Sequence, residues 1–399
     1  MVTSRPELKP VILIFVKYYL PAFKCGGPVR TIANLVERLG NAFEFRIVCS
    51  DRDSLESVSF ANIAVDTWNK VGNASVFYAS PGFMRVGKLR QLLGEMVPDV
   101  LYFNSFFSPR FTLLPLLVGR LVWGERTPVI VAPRGEFAAS ALRIRKLKKK
   151  IYTRASRLFG VYRNVTWQAS SEYEAADIKR TVKVSEESVT IAPDLGALVK
   201  GEAGEQVVDP SGDDDVLRVV FLARVSVVKN LDFALQVVSR VRVPMIFDVY
   251  GLMEEKAYWE RCQALADELP DHVSFSYRGV VAHEQVRDVL ASYDLSFLPT
   301  QGENFGHAIL EALSAGTPTL ISDRTPWRDL DQTGVGWVRP LDDPDAFVSV
   351  LESVASESRE DRLLRRKRAS AYARSVAGDE NIIARNVELF LSVVKRSAR

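Results

Sequence analysis

The amino-acid sequence predicts an α/β protein with two doubly wound domains, each built on a parallel sheet. The chain has 399 residues, a length that fits two domains of ordinary size. The stretch Asp294–Asp323 reads as a buried strand, a polar loop, a helix with apolar residues at helical spacing and a second apolar strand. A strand, a glycine turn and an amphipathic helix also open the chain, which is the order found in doubly wound domains.

The composition is that of an ordinary globular protein. Hydrophobic residues make up 47% and charged residues 25%, and the net charge of +3 is too small to indicate nucleic-acid binding. The three cysteines, Cys25, Cys49 and Cys262, have no metal-like spacing and favour a reducing compartment without disulfides. No signal peptide is recognisable, and the apolar run Val11–Val16 is too short to span a bilayer. We therefore expect a cytoplasmic protein.

The first predicted strand, Val11–Val16, is followed by two adjacent glycines, Gly26 and Gly27, and by a helix at Thr31–Leu39. Glycines in such a turn let the backbone approach a phosphate closely. Both glycines are therefore candidates for contact with a ligand.

Later strands of the first half are also followed by polar residues. The predicted strands are Phe45–Cys49, Asp99–Phe103, Val129–Ala132 and Thr166–Ser170. Asp51 and Asp53 could hold a divalent metal through oxygen ligands, but short acidic doublets are common, and we predict no metal site. Asn104, Arg134 and Glu136 follow strand ends and are candidates for contact with a ligand. Arg134 and Glu136 could instead pair with each other.

The stretch Arg143–Arg157 carries eight basic residues and no acidic one, with apolar residues between them. Three interpretations compete: a solvated helix face, a nucleic-acid site and contact with an anionic membrane surface. No aromatic platform or nucleic-acid motif accompanies the stretch, so we predict no nucleic-acid partner. Membrane contact is the more specific alternative to the solvated face.

A Gly-, Asp- and Glu-rich stretch with little periodicity divides the chain. We predict a first domain at residues 1–195, a linker at 196–215 and a second domain at 216–375. Residues 376–399 are predicted to form a C-terminal helix.

Charged residues in the second domain point to a diphosphate. Arg224 and Lys229 lie on the loop after the predicted strand Leu217–Leu222, where two cations would balance a diphosphate. Glu303 and Glu311 frame the loop and helix of the later β-loop-α-β unit. The helix N-terminus between them attracts anions.

The string GENFGHAILEALSAGTP, which contains both glutamates, resembles the signature of retaining glycosyltransferases of family 4, the glycosyl transferases group 1. Members of this family have the GT-B fold. The resemblance implies two Rossmann-like domains facing a cleft and a C-terminal helix that crosses back to the first domain. Many members place a His near the position of Asn104, and this sequence departs from them there.

The resemblance also implies roles for individual residues. Arg224 and Lys229 would bind the donor diphosphate, Glu303 the donor sugar and Glu311 the ribose. Gly251 and Val280, at two strand ends, would hold the nucleotide base. The other implied donor contacts are Gly26, Gly27, Asn304, Phe305 and Gly306. Contacts with the sugar or the acceptor would come from Asn104, Arg134 and Glu136.

The function implied is retaining transfer of a sugar from a UDP- or GDP-sugar to an acceptor hydroxyl, without a cofactor or a metal. The acceptor would be a carbohydrate or a lipid-linked glycan of bacterial polysaccharide or lipopolysaccharide biosynthesis, modified in the cytoplasm or on the cytoplasmic membrane face. A non-catalytic GT-B binding module, a nucleotide-sugar epimerase and a phosphorylase remain as alternatives. The sequence does not indicate an oligomeric state.

Overall fold

The computed structural model describes residues 9–24, 26–143, 145–199, 208–210 and 216–397. The chain divides into two compact units. The first consists of Met1–Ala22, Pro28–Leu195 and Glu380–Arg399, and the second of Phe23–Gly27 and Gly196–Asp379. Of the predicted linker, residues 200–207 and 211–215 lie outside the described residues.

Strands and helices alternate along most of the chain. Among the described residues, the strands are β1 (Val11–Phe15), β2 (Glu44–Ser50), β3 (Trp68–Val71), β4 (Ala74–Ala79), β5 (Val100–Phe103), β6 (Val129–Val131), β7 (Val165–Ala169), β8 (Val189–Ile191), β9 (Leu217–Leu222), β10 (Met245–Tyr250), β11 (Val273–Gly279), β12 (Leu295–Leu298), β13 (Thr319–Ser322) and β14 (Gly336–Arg339).

The α-helices of the described residues are α1 (Gly27–Leu39), α2 (Val86–Gly94), α3 (Leu114–Trp123), α4 (Ala139–Arg143), α5 (Lys146–Leu158), α6 (Glu172–Val182), α7 (Leu231–Val238), α8 (Lys256–Asp267), α9 (His283–Ala291), α10 (His307–Ser314), α11 (Leu330–Thr333), α12 (Pro344–Ala355), α13 (Arg359–Ala377) and α14 (Glu380–Ser397). Within the described part of the chain, no helix is long and apolar enough to cross a membrane.

The sheet of the first unit has the strand order β3-β4-β2-β1-β5-β6-β7-β8. All pairs are parallel except β3 with β4. From β1 the chain first adds strands on one side and then, from β5, on the other. The sheet is therefore doubly wound, with its topological switch point between β1 and β5.

Both faces of this sheet are buried, as expected for parallel strands. Alternate side chains of β1 enter different cores, Leu13 and Phe15 on one face and Ile12 and Ile14 on the other. The last helix, α14, belongs to this unit and packs its buried Phe390 into the second of these cores.

The second unit contains a parallel sheet with the strand order β11-β10-β9-β12-β13-β14. Its switch point lies between β9 and β12, which pair through Leu295 and Val219. Val219 and Phe221 enter the main core, while Val220 packs on the opposite face. The predicted α/β class with two doubly wound parallel sheets is confirmed.

The hairpin β3–β4 was not anticipated from the sequence. Its strands are joined by Gly72 and Asn73, and Gly72 has a φ of 54°. A two-residue Gly-Asn connection between β-rich runs is a hairpin signal that could have revealed it. Near the C-terminus, α13 runs to Ala377, so the last helix starts at Glu380 rather than at residue 376.

Candidate active site

The candidate site of the second unit lies at the carboxyl ends of β9, β10 and β12. The loop after β9 carries Arg224 and Lys229, and the loop after β12 carries Glu303. Since β9 and β12 are paired neighbours at the switch point, their loops begin side by side at the same edge of the sheet. The topology therefore brings the predicted cations and the first predicted glutamate together.

Lys229 and Glu303 form a direct ion pair. Both side chains are largely buried, with exposed fractions of 15% and 12%. Backbone contacts hold the two loops together, because the Gln301 N–H donates to the Val228 carbonyl over 2.7 Å. The Thr300 hydroxyl donates to the same carbonyl over 3.0 Å. The hydrogen bonds between the two loops therefore fix the backbone positions from which Lys229 and Glu303 reach each other.

Gly306 ends the loop after β12 and is the N-cap of α10. Its φ of +87° is one that residues other than glycine rarely adopt. An added Cβ would lie 2.9 Å from Ile309 Cδ1 and 3.1 Å from the Trp327 indole nitrogen. That indole donates to the Phe305 carbonyl over 2.6 Å, which fixes the turn. The structure thus presents the N-terminus of α10 beside Glu303.

Glu311 lies in the second turn of α10, with its side chain 20% exposed. One carboxylate oxygen is 3.9 Å from Nδ1 of His283, the first residue of α9. His283 was not singled out in the sequence because nothing there connects it with Glu311. The packing of α9 beside α10 makes the connection.

Arg224 forms an ion pair with Glu254, a residue that the sequence did not indicate. Their side chains are 40% and 34% exposed. The loops after β9 and β10 are joined by backbone hydrogen bonds from Val225 N–H to the Leu252 carbonyl, at 2.8 Å, and from Glu254 N–H to the Val225 carbonyl, at 3.3 Å.

Gly251 makes this junction possible. An added Cβ would lie only 1.8 Å from the Ala223 carbonyl oxygen, and φ is +147°. The Gly251 N–H donates to the Gly279 carbonyl over 2.8 Å, and its own carbonyl accepts from the Tyr277 hydroxyl over 2.7 Å. The close approach of two loops therefore explains this glycine, and its contact with a base stays a prediction. Val280 follows β11 and is 39% exposed.

Both glycines of the predicted turn near the N-terminus, Gly26 and Gly27, lie within the described residues. Phe23–Gly27 groups with the second unit, and Cys25 lies outside the described residues. Gly26 has a φ of +56°. An added Cβ on Gly27 would lie 3.8 Å from the His307 ring, so this segment reaches the start of α10.

Two candidate residues of the first unit, Asn104 and Arg134, belong to a polar cluster at the carboxyl ends of its strands. The Arg134 guanidinium forms an ion pair with Asp194 and donates to Asn104 Oδ1 over 2.9 Å. It also donates to the Tyr102 hydroxyl, whose pKa is raised to about 12 by burial. Asn104 and Arg134 are thus brought together, as neighbouring strand ends predict.

Glu136 does not join this cluster. Its carboxylate accepts from the Ser105 hydroxyl at 2.7 Å and from the backbone N–H groups of Phe106 and Phe107 at 2.6 and 3.0 Å. Burial raises the pKa of Glu136 against the opposing effect of these donors. The alternative that Arg134 and Glu136 pair with each other is wrong, because Arg134 pairs with Asp194.

The acidic doublet after β2 is engaged in local contacts. Asp51 accepts two hydrogen bonds from Arg52, at 2.8 and 3.0 Å, and Asp53 accepts from the Ser54 N–H at 2.6 Å. Within the described ranges, no group of three or more His, Cys, Asp or Glu residues could hold a metal ion.

Comparison with solved structures defines the class of fold. Anabaena HepE in complex with UDP and glucose matches with a TM-score of 0.67 and 14% identity, covering 96% of this chain and 100% of that one. Sucrose-phosphate synthase from Thermosynechococcus elongatus matches with a TM-score of 0.67 and 16% identity, covering 97% and 100%. WaaG, a glycosyltransferase involved in lipopolysaccharide biosynthesis, matches with a TM-score of 0.64 and 13% identity, covering 95% and 99%. The fold is GT-B.

Residues 206–376 match the family model described as glycosyl transferases group 1. The match includes the GENFGHAILEALSAGTP string, so the resemblance found in the sequence is confirmed. A search of curated proteins gave no match.

Proposed function

We propose that this protein is a retaining glycosyltransferase that moves a sugar from a UDP- or GDP-sugar to an acceptor hydroxyl without a metal. The observation that carries the proposal is the Lys229–Glu303 ion pair at the switch point of the second unit. It combines a cation suited to a departing phosphate with a carboxylate that can accept hydrogen bonds from sugar hydroxyls. Arg224 lies on the same loop as Lys229.

The proposed reaction breaks the bond between the anomeric carbon and the diphosphate oxygen. The electron pair leaves with the nucleoside diphosphate, while Arg224, Lys229 and the N-terminus of α10 stabilise the developing negative charge. The acceptor hydroxyl attacks the same face of the sugar, and its proton passes to the departing phosphate oxygen. Glu303 orients the sugar and Glu311 holds the ribose.

The first test is a panel of UDP-, GDP- and ADP-sugars, with binding and slow hydrolysis measured with and without EDTA. We expect selective binding of one donor and EDTA-resistant release of its nucleoside diphosphate. Glu303→Ala should lower kcat/KM for hydrolysis by about 100-fold or more and remove the preference among sugars, because a group that acts in the transition state is lost.

Glu303→Gln separates charge from shape, since it keeps one hydrogen-bond acceptor beside Lys229. Glu260→Ala, a surface change on α8, is the control and should leave hydrolysis unchanged. Folded protein that binds no donor would contradict the proposal in favour of a non-catalytic module. Turnover that requires phosphate would favour a phosphorylase, and sugar isomerisation without transfer an epimerase.

We also propose that the acceptor is a lipid-linked glycan of a bacterial polysaccharide or lipopolysaccharide and that the enzyme acts on the cytoplasmic membrane face. This proposal is supported by the surface of α5. Leu147, Ile151 and Leu158 lie on one side of this helix at spacings of four and seven residues and are 71%, 59% and 82% exposed. Thr153 and Ser156 are buried on the opposite side.

Cations surround this outward apolar stripe. Lys146, Lys148, Lys150, Arg154 and Arg157 are exposed, and α5 contains no acidic residue. A solvated helix face does not require exposed Leu and Ile. Apolar side chains between cations fit the interface of an anionic bilayer, where each nearby cation contributes about 1 kcal/mol.

Vesicle flotation tests this surface. We expect binding to vesicles containing phosphatidylglycerol and not to pure phosphatidylcholine, with loss of binding in L147S/I151S/L158S. The control L55S/V58S/V97S removes three exposed apolar side chains elsewhere in the first unit and should retain binding. Equal binding by both triple variants, or no binding by the wild type, would exclude this membrane contact.

A further inference from the structure

The second unit contains two cation–carboxylate pairs on neighbouring strand-end loops, Arg224 with Glu254 and Lys229 with Glu303. Their formal charges cancel. A diphosphate that binds both cations must therefore compete with the two carboxylates that already pair with them.

The two pairs differ in burial. The side chains of Lys229 and Glu303 are 15% and 12% exposed, whereas those of Arg224 and Glu254 are 40% and 34% exposed. Exposed pairs are screened by water and contribute little to stability. An incoming anion can thus displace Glu254 from Arg224 much more readily than it can displace Glu303 from Lys229.

Glu254 cannot move far once it is displaced. Its backbone N–H is bonded to the Val225 carbonyl, and Met253 forms a parallel bridge with Val225. Its carboxylate therefore stays within one side-chain length of an anion that binds Arg224, and it repels that anion. The repulsion grows with the charge of the ligand.

We propose that Glu254 is a built-in counter-anion of Arg224, which a diphosphate displaces on binding and which promotes its departure. This proposal rests on the proposed function for the identity of the ligand. A free nucleoside diphosphate has a terminal phosphate that gains an additional negative charge near neutral pH, whereas a nucleotide-sugar does not. Glu254 therefore weakens the binding of the product more than that of the donor and acts as a positioning residue that favours product release.

The test is titration calorimetry of the full chain with pyrophosphate, UDP and UDP-glucose. Pyrophosphate carries the diphosphate charge without a base or sugar, so it reports on the cations whichever nucleotide the protein prefers. Glu254→Gln should tighten binding of pyrophosphate and of UDP about 3- to 10-fold, and of UDP-glucose less, because one repulsive charge is removed.

Glu255→Gln is the matched control. It makes the same change of net charge one residue away, and within the described chain Glu255 forms no salt bridge. Its effect should stay below about 2-fold, as expected for a screened surface charge. Glu254→Asp keeps the carboxylate and should bind pyrophosphate as the wild type does. In a protein that already carries Arg224→Gln, adding Glu254→Gln should tighten pyrophosphate binding much less.

A purely structural role for Glu254 predicts the opposite result. If Glu254 only anchors Arg224, Glu254→Gln will weaken pyrophosphate binding, and the proposal is wrong. Equal tightening by Glu254→Gln and Glu255→Gln would also overturn it. Pyrophosphate binding with the predicted order of variants, but no binding of any nucleotide-sugar, would refute the proposed function and retain the counter-anion.

Discussion

At the residue scale, the cations of the candidate site pair with carboxylates of other loops rather than with near neighbours in the chain. Lys229 meets Glu303 across 74 positions and Arg224 meets Glu254 across 30. Each pair joins loops that leave neighbouring strands. The spacing of the residues in the sequence indicates which of them lie at strand ends, but it does not indicate which cation meets which carboxylate.

Gly251 is the residue whose substitution should be most costly near the site. In Gly251→Ala the new methyl group would meet the Ala223 carbonyl at 1.8 Å in a backbone conformation that alanine disfavours. We expect a loss of about 3–5 kcal/mol in the free energy of unfolding, measured by urea denaturation.

Gly82→Ala is the control for this substitution. Its added Cβ would meet nothing within 4 Å, so the change should stay within about 0.5 kcal/mol. Equal midpoints for the two variants would show that the loops after β9 and β10 separate at little cost.

At the element scale, the face that a helix buries depends on packing partners that are distant in the sequence. Phe390 of α14 packs on aromatic rings more than 280 positions earlier in the chain, 5.2 Å from the ring of Phe43 and 5.7 Å from that of Tyr102. The helix α5 presents its apolar stripe to solvent instead. Helical periodicity predicts both faces, but only the packing shows which is buried.

Phe390→Ala should therefore destabilise the first unit. The side chain is fully buried among aromatic rings, and its removal leaves a cavity costing about 3–5 kcal/mol. Leu391→Ala, on the same helix at a position 36% exposed, should cost less than about 1 kcal/mol. Urea unfolding of both variants measures the difference, and similar losses would mean that α14 is not anchored through Phe390.

At the scale of the whole molecule, each unit repeats one arrangement: a doubly wound parallel sheet whose polar side chains gather at the carboxyl ends of its strands. In the first unit, those side chains bond one another, as Arg134 and Asp194 do. In the second, the strand ends contribute paired cations and carboxylates beside the N-terminus of α10.

The local patterns of the sequence predicted much of this arrangement. Alternating apolar strands and helices, with glycines and charges at their junctions, determine the α/β class, because each element must bury its own apolar face. The bounds of β9 were predicted without error, since the apolar pattern of a strand is a local property. The string around Glu303 and Glu311 indicated the family for the same reason.

Only the tertiary structure shows which side chains contact each other. In the sequence Arg366 resembles a solvent-exposed helix residue, yet it is buried and donates to the carbonyls of Ala291, the last residue of α9, and of Tyr293. Glu254 became part of the site because strand order placed its loop beside that of Arg224. Such contacts depend on which strands are neighbours in the sheet, and sheet order is set by the burial of all the elements together.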